Sequence, residues 1–168
     1  RDFQDAGGNW LSKEAVIKNL SDYQAAATRD GGTPLLIGTD EEGGAVTRAS
    51  ANPNLFPEPS KSPQQLYAEG GPAALINDAS RKSYLLRELG VNVNFAPVCD
   101  VSVNPESYIY PRTLGMDASA TAAYAARVGA AMDSAGVAAV LKHFPGYGDN
   151  ADTHLAAAVD ERPYDQYD

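Results

Sequence analysis

Three short apolar segments along the chain alternate with longer stretches of amphipathic spacing. The apolar segments are residues 34–38, 91–96 and 137–141. Their length and apolar content, including Val and Ile, are typical of buried strands. An amphipathic stretch precedes each of them, so helix and strand alternate along the chain. This alternation predicts an α/β fold with repeated βαβ units and a parallel sheet.

The amphipathic stretches predict three helices. The first enters at Ser12 and has apolar or aromatic positions at spacings of three and four: Val16, Leu20, Tyr23 and Ala27. The second is expected over about residues 72–89, where Gly90 ends it. Its stripe comprises Ile76, Ala79, Ser83, Leu86 and Leu89. The third is expected from an N-cap at Asp117 to Ala135, closed by Gly136.

Charged and polar residues follow each predicted strand. They are the segment 40–44 after the first strand, Asp100 after the second, and Lys142 with His143 after the third. Right-handed crossovers place the carboxyl ends of parallel strands on the same side of a sheet. That side binds ligands in barrels and in open α/β sheets. The loops after the strands are long and rich in Pro, Asn and Gly, which indicates a role in building a site.

Composition and charge remove several classes of function. The 168 residues carry a formal net charge of -9, which argues against a nucleic-acid binder that needs basic residues against phosphates. No apolar run approaches the ~20 residues that span a bilayer. The first residues lack the apolar region of a signal peptide, and localisation is left open. Cys99 is the single cysteine, interpreted as a small buried hydrophobe, and no Cys/His cluster forms a zinc site.

The segment 142–154 carries the most chemistry. Lys142 and His143 leave a strand together and can present two donors to a ligand. Pro and Gly residues then make a loop that carries Asp152 and His154, a pair able to shuttle a proton near neutral pH. Taken alone, these pairs are also compatible with a solvated surface and an exposed polar loop. Gly43 and its neighbour Gly44 do not match a phosphate loop, which disfavours a nucleotide-binding domain.

Taken together, four motifs resemble glycoside hydrolase family 3, and most closely its NagZ-type β-N-acetylglucosaminidase branch. They are the segment 38–44 with Arg48, the segment 94–101, the Lys-His-Phe-Pro-Gly element at 142–146, and the Asp-Thr-His element at 152–154. They occur in that family's order, at the ends of successive predicted strands. The last element is the marker of the branch, and the resemblance spans essentially the whole chain.

The resemblance implies roles for individual residues. His154 would be the general acid/base, oriented and tuned by Asp152, and Asp100 would have a supporting role. The implied contacts to the bound sugar are Asp40, Arg48, Arg112, Lys142 and His143. Arg112 is carried by a loop, 110–115, that only approximates the family's arginine-containing loop. No cofactor or metal is implied.

The resemblance also implies that residues 1–168 are a fragment of one (β/α)8 barrel, approximately strands two to four with their helices. The family's nucleophilic aspartate lies on a later strand, so this chain alone is expected to be inactive. The remaining barrel half or other chains are expected to cover the exposed sheet edges.

The implied reaction is retaining hydrolysis of terminal β-linked N-acetylglucosamine from cell-wall or chitin-type oligosaccharides, with peptidoglycan recycling in a bacterium as one setting. Three alternatives stay open. A histidine acid/base also suits an N-acetylglucosaminide phosphorylase, a β-glucosidase of the same family is close, and a non-catalytic carbohydrate-binding half-barrel is a different class. A cytoplasmic and an extracytoplasmic location are both compatible with the resemblance.

Overall fold

The computed structural model of the chain describes residues 3–148 and 150–155, together with residues 157, 159 and 163. Within them, three α-helices alternate with three strands of one parallel sheet, in the order β1-β2-β3. The helices are α1 (Lys13–Thr28), α2 (Pro63–Leu89) and α3 (Ala118–Ser134). The strands are β1 (Gly38–Thr39), β2 (Val93–Asn94) and β3 (Ala138–Ala139). The predicted α/β fold with a parallel sheet is confirmed.

Helices α1 and α3 begin where their caps predict. The Ser12 hydroxyl accepts a hydrogen bond from the main chain of Ala15 at 3.2 Å, and the Asp117 carboxylate accepts from that of Ala120 at 2.8 Å. Each bond satisfies one of the N–H groups that the first helical turn leaves without a partner. The predicted apolar face of α1 is wrong at Tyr23, which is 60% exposed because it lines an open recess beside β1.

Helix α2 begins nine residues earlier than the sequence pattern predicts. Ser62 and Gln65 form a reciprocal capping box at its start, with hydrogen bonds of 3.3 and 2.9 Å. Gly70 and Gly71 then take non-helical backbone angles, and helical structure resumes at Pro72. The predicted start at about residue 72 is therefore wrong, because the Gly-Gly-Pro sequence marks a kink inside the helix.

The strands are shorter than predicted, and the structure around β1 shows the reason. The side chain of Gln24 occupies both main-chain groups of Leu35, at 2.9 and 2.8 Å, and the Asn92 carboxamide binds the N–H of Ile37 at 2.7 Å. Pro34 has no N–H to contribute. Side-chain amides therefore take the place of hydrogen bonds to a neighbouring strand over much of 34–37. Strand β1 begins only at Gly38.

Two apolar clusters hold the helices in place. One joins α1 and α2 to the residues that lead into β2 and β3, through Val16, Leu86, Leu89, Val91 and Val137. The other lies between α2 and α3, around Leu75, Tyr124, Val128 and Met132. Burying each large apolar side chain stabilises the fold by roughly 1.5–3 kcal/mol. Helix α2 thus contacts both other helices, and it fixes the strand ends between them.

Exposed apolar residues border all three strands. Leu36 is 84% exposed, Phe95 40% and Leu141 57%. Strands β1 and β3 each pair on one side only within the described part of the chain. Among the described residues, none of the helices combines the length and the apolarity that crossing a membrane requires.

Candidate functional site

Six side chains from the carboxyl ends of the strands and the loops beyond them form what we call the strand-end cluster: Asp40, Glu42, Asp100, Arg112, Lys142 and His143. The ammonium of Lys142 lies 2.6 Å from Asp40 Oδ1 and 2.6 Å from Glu42 Oε1. The Arg112 guanidinium donates through Nε and Nη2 to both oxygens of Glu42, at 3.0 and 2.8 Å. Glu42, with its side chain 2% exposed, therefore anchors two cations in fixed positions.

The guanidinium of Arg112 remains charged although it is partly buried. Burial works against the charge, yet hydrogen bonding and attraction to Glu42 outweigh it and raise the pKa of Arg112 above its ordinary value. Its Nη2 also lies 3.2 Å from His143 Nε2. A guanidinium can only donate, so Nε2 accepts and the ring proton lies on Nδ1. The predicted residue pair Lys142 and His143 thus joins Arg112 in one site.

Asp100 holds His143 from the opposite side. One of its oxygens lies 2.7 Å from His143 Nδ1 and accepts from the main-chain N–H of the same residue, at 3.1 Å. The other oxygen accepts from the N–H of Tyr147 at 2.7 Å. Burial alone would raise the pKa of Asp100, but these donors outweigh it and hold that pKa below its ordinary value. Asp100 therefore orients the imidazole, and its supporting role near a sugar stays a prediction.

The lowered pKa of Asp100 predicts an acid-sensitive contribution to stability. A carboxyl group whose pKa is lower folded than unfolded stabilises the fold above its unfolded pKa of about 4, and the contribution is lost as pH falls through the folded value. We expect Asp100→Asn to flatten the fall in unfolding free energy between about pH 5 and pH 2, measured by urea denaturation. The exposed Asp133→Asn is the control, and an equal effect there would contradict the assignment.

The predicted Asp152 and His154 also lie in contact. His154 Nδ1 is 2.7 Å from Asp152 Oδ1, and the same oxygen accepts from the main-chain N–H of His154 at 2.9 Å. That main-chain bond is the main cause of the lowered pKa of Asp152. The His154 side chain is 76% exposed, so its second ring nitrogen is open to a ligand. The geometry is that of a carboxylate-oriented imidazole able to exchange a proton.

Arg48 occupies a different setting from the other predicted sugar contacts. Its guanidinium donates to the carbonyl of Thr47 at 2.9 Å, and its main-chain N–H donates to the Glu41 carboxylate, also at 2.9 Å. Glu41 is fully buried, and it also accepts from the main chains of Ala49 and Ser50 and from the Ser50 hydroxyl. Glu41 thus folds the loop after β1, and a sugar contact for Arg48 stays a prediction.

Sequence reasoning missed the importance of Glu42. A signal was present in the glycine that follows it. Gly43 has φ 108°, and a Cβ there would lie 2.2 Å from the carbonyl oxygen of Lys61, so only glycine fits. Below the loop, the buried ammonium of Lys82 donates to the Glu42 carbonyl at 3.0 Å and pairs with Asp78 at 2.9 Å. Helix α2 therefore fixes the main chain from which Glu42 reaches the two cations.

The site has no multidentate metal centre in the part of the chain that the structure describes: no three or more His, Cys, Asp or Glu side chains are grouped to hold an ion. Cys99 is half-buried, and burial raises the pKa of its thiol. This setting does not favour a reactive thiolate.

Comparison with known proteins identifies the family. The family model described as the glycosyl hydrolase family 3 N terminal domain matches residues 5–167. The chain belongs to this family. The family resemblance predicted from the motifs at the strand ends is confirmed.

The relatives that the chain resembles in sequence include β-hexosaminidases. A β-hexosaminidase of Nitrosospira multiformis is 38% identical over 138 residues, which cover 79% of this chain and 39% of that protein. A β-hexosaminidase of Stenotrophomonas maltophilia is 36% identical over 163 residues, covering 94% and 47%. The chain thus spans less than half the length of these two relatives.

A solved structure agrees with the sequences. The family 3 β-N-acetylglucosaminidase of a Paenibacillus species superposes with a TM-score of 0.75 at 33% identity, over 88% of this chain and 28% of that chain. That enzyme carries the name of the branch predicted from the Asp-Thr-His element.

Proposed function

We propose that this chain supplies the sugar-binding groups and the acid/base of a glycosidase that removes terminal β-linked N-acetylglucosamine from oligosaccharides. The observation that carries the proposal is the strand-end cluster with the Asp152–His154 pair tied beside it. The β-hexosaminidases and the β-N-acetylglucosaminidase that the chain resembles support this substrate class.

The cluster suits recognition of a sugar. Adjacent hydroxyl groups are bound best by charged groups in fixed positions that accept and donate together. Asp40 keeps 42% of its side chain exposed while Lys142 holds one of its oxygens, so its other oxygen is available to a hydroxyl. Arg112 and His143, with side chains 11% and 28% exposed, line the same site, and Arg112 adds donors. We expect these four residues to contact the non-reducing sugar.

The Asp152–His154 pair supplies the proton. A retaining glycosidase protonates the leaving oxygen in the first step and deprotonates water in the second. His154 would carry both transfers through its open ring nitrogen, while Asp152 stabilises the imidazolium that forms when water is deprotonated. Most glycosidases give this task to a carboxylic acid.

The nucleophile is proposed to lie outside this chain. Glu42 is held by two cations and Asp100 by three hydrogen bonds, so neither is free to attack an anomeric carbon. We therefore propose that residues 1–168 form part of a (β/α)8 barrel, approximately strands two to four. Further strands would cover Leu36, Phe95 and Leu141 and supply the nucleophilic carboxylate.

The decisive assay compares this chain with the full-length protein that contains it. We expect the full-length protein to release nitrophenol from an aryl β-N-acetylglucosaminide, and the 168-residue chain to show no turnover above background. Comparable turnover by the chain alone would show that the proposed division of the site is wrong.

The matched aryl β-glucoside tests for a β-glucosidase, and formation of a sugar 1-phosphate when phosphate is added identifies a phosphorylase. Binding without turnover in the full-length protein would indicate a non-catalytic module.

A further inference from the structure

Two tyrosines lie between the strand-end cluster and the segment 152–154. Tyr108 belongs to the loop after β2 and Tyr147 to the loop after β3, and their rings pack at 5.4 Å between centroids. Tyr147 is only 8% exposed and shares an apolar cluster with Val98 and Ile109. Neither hydroxyl was among the groups that the sequence motifs singled out.

Tyr147 makes contact at both of its ends. Its main-chain N–H donates to Asp100 at 2.7 Å, and its ring meets the His143 imidazole edge-on at 5.1 Å. Its hydroxyl lies 2.7 Å from Thr153 Oγ1. One buried side chain therefore connects the aspartate that orients His143 with the residue between Asp152 and His154.

Tyr108 makes a parallel connection. Its hydroxyl accepts from Arg112 Nη1 at 3.5 Å, and it interacts with the Asp152 carboxylate as one of the donors that lower the Asp152 pKa. A phenol can accept and donate at once, so this hydroxyl links the cation that binds Glu42 to the carboxylate that orients His154.

We infer that Tyr147 and Tyr108 are positioning residues that fix the Asp152–Thr153–His154 segment over the sugar site. The inference rests on the proposed function, because it assigns the acid/base to His154. Thr153 and His154 are exposed, and the segment 152–154 lies outside the helices and strands of the described residues. The two phenols restrain it, since their rings pack against each other and the Tyr147 hydroxyl contacts Thr153.

The expected consequence is a defect confined to proton transfer. Misplacing a general acid slows departure of a poor leaving group, whereas a nitrophenolate leaves without much assistance. For Tyr147→Phe in the full-length protein, kcat/KM for an N-acetylglucosamine disaccharide should fall about three- to tenfold, the effect of losing one hydrogen bond. The value for the nitrophenyl glycoside should change less than about twofold. Tyr108→Phe should show the same asymmetry.

A double-mutant cycle tests the individual contact. Tyr147→Phe and Thr153→Ala remove opposite ends of one hydrogen bond, so the double variant should be no slower than either single variant. Thr153→Ser keeps the hydroxyl and should retain most of the activity. The control is Tyr110→Phe, a half-buried tyrosine of the same loop whose hydroxyl makes no hydrogen bond to the described residues. Equal losses on both substrates, or losses that multiply in the double variant, would overturn the inference.

A measurement independent of catalysis separates this inference from the proposed function. Hydrogen exchange of the amides of 152–154 in the full-length protein should be faster in Tyr147→Phe than in the parent or in Tyr110→Phe. Unchanged exchange would overturn the restraint even in an active enzyme. If the parent hydrolyses no N-acetylglucosaminide, the proposed function fails, and exchange alone then decides whether the tyrosines hold the segment.

Discussion

Replacing His154 by alanine in the full-length protein should lower kcat/KM for an N-acetylglucosamine disaccharide by about 10²–10⁴-fold, the range for removal of a general acid. The physical reason is that the sugar leaving group needs a proton as the glycosidic bond breaks. An activated nitrophenyl glycoside leaves as a stable anion, so its kcat/KM should fall far less. The measurement is the ratio of the two values in variant and parent.

The chain offers a matched control in its other histidine. His143 is proposed to bind the sugar rather than to transfer a proton, so His143→Ala should lower kcat/KM for both substrates by similar factors, mainly through KM. Asp152→Asn should follow the His154 pattern more weakly, since the imidazole remains but loses its orienting charge. If His154→Ala affected both substrates equally, the acid role would belong to another group.

Replacing Glu42 by glutamine should lower the free energy of unfolding by about 3 kcal/mol, near the lower end for breaking a buried ion pair from one side. The substitution preserves shape, so the effect is electrostatic. The side chains of Arg112 and Lys142 are 11% and 14% exposed, and each would lose its bond to a shared anion. The measurement is chemical denaturation of the chain at neutral pH.

Glu69→Gln provides the control for this prediction. Glu69 pairs with Lys61 at 2.7 Å, but both side chains are about half exposed, and such surface pairs contribute about 0–1 kcal/mol. In the full-length protein, Glu42→Gln should also raise KM, because the cations that receive the sugar lose their common anchor. If Glu42→Gln lowered the free energy of unfolding as little as Glu69→Gln does, water would already screen the interactions of Glu42.

The elements were predicted best where local chemistry determines them. Ser12 and Asp117 cap the N-termini of α1 and α3 through hydrogen bonds to the first turns of these helices. The residues alone therefore locate where the two helices begin. The start of α2 was predicted wrongly, because Gly70 and Gly71 are ordinarily a boundary and here lie inside a kinked helix. The length of β1 was predicted wrongly because the amides of Gln24 and Asn92, distant in sequence, occupy main-chain groups that a partner strand would otherwise take.

For the site, the sequence by itself determined which residues follow the strands, and hence that Asp40, Asp100, Lys142 and His143 would share one edge of the sheet. It also determined the family, because the motifs occur in a fixed order. The shared edge follows from parallel strands and right-handed crossovers, whereas the family follows from the resemblance of the motifs.

Only the tertiary structure decided how the loops close over that edge. It made Glu42 the shared anchor of two cations, and it directed its neighbour Glu41 into the loop that carries Arg48. It also brought Tyr147 against Thr153 and Tyr108 into interaction with Asp152. Adjacent glutamates and ordinary tyrosines carry no local signal for these roles, since each role depends on which main chain approaches within a few ångströms. Long-range packing fixes that approach, and no periodicity along the chain records it.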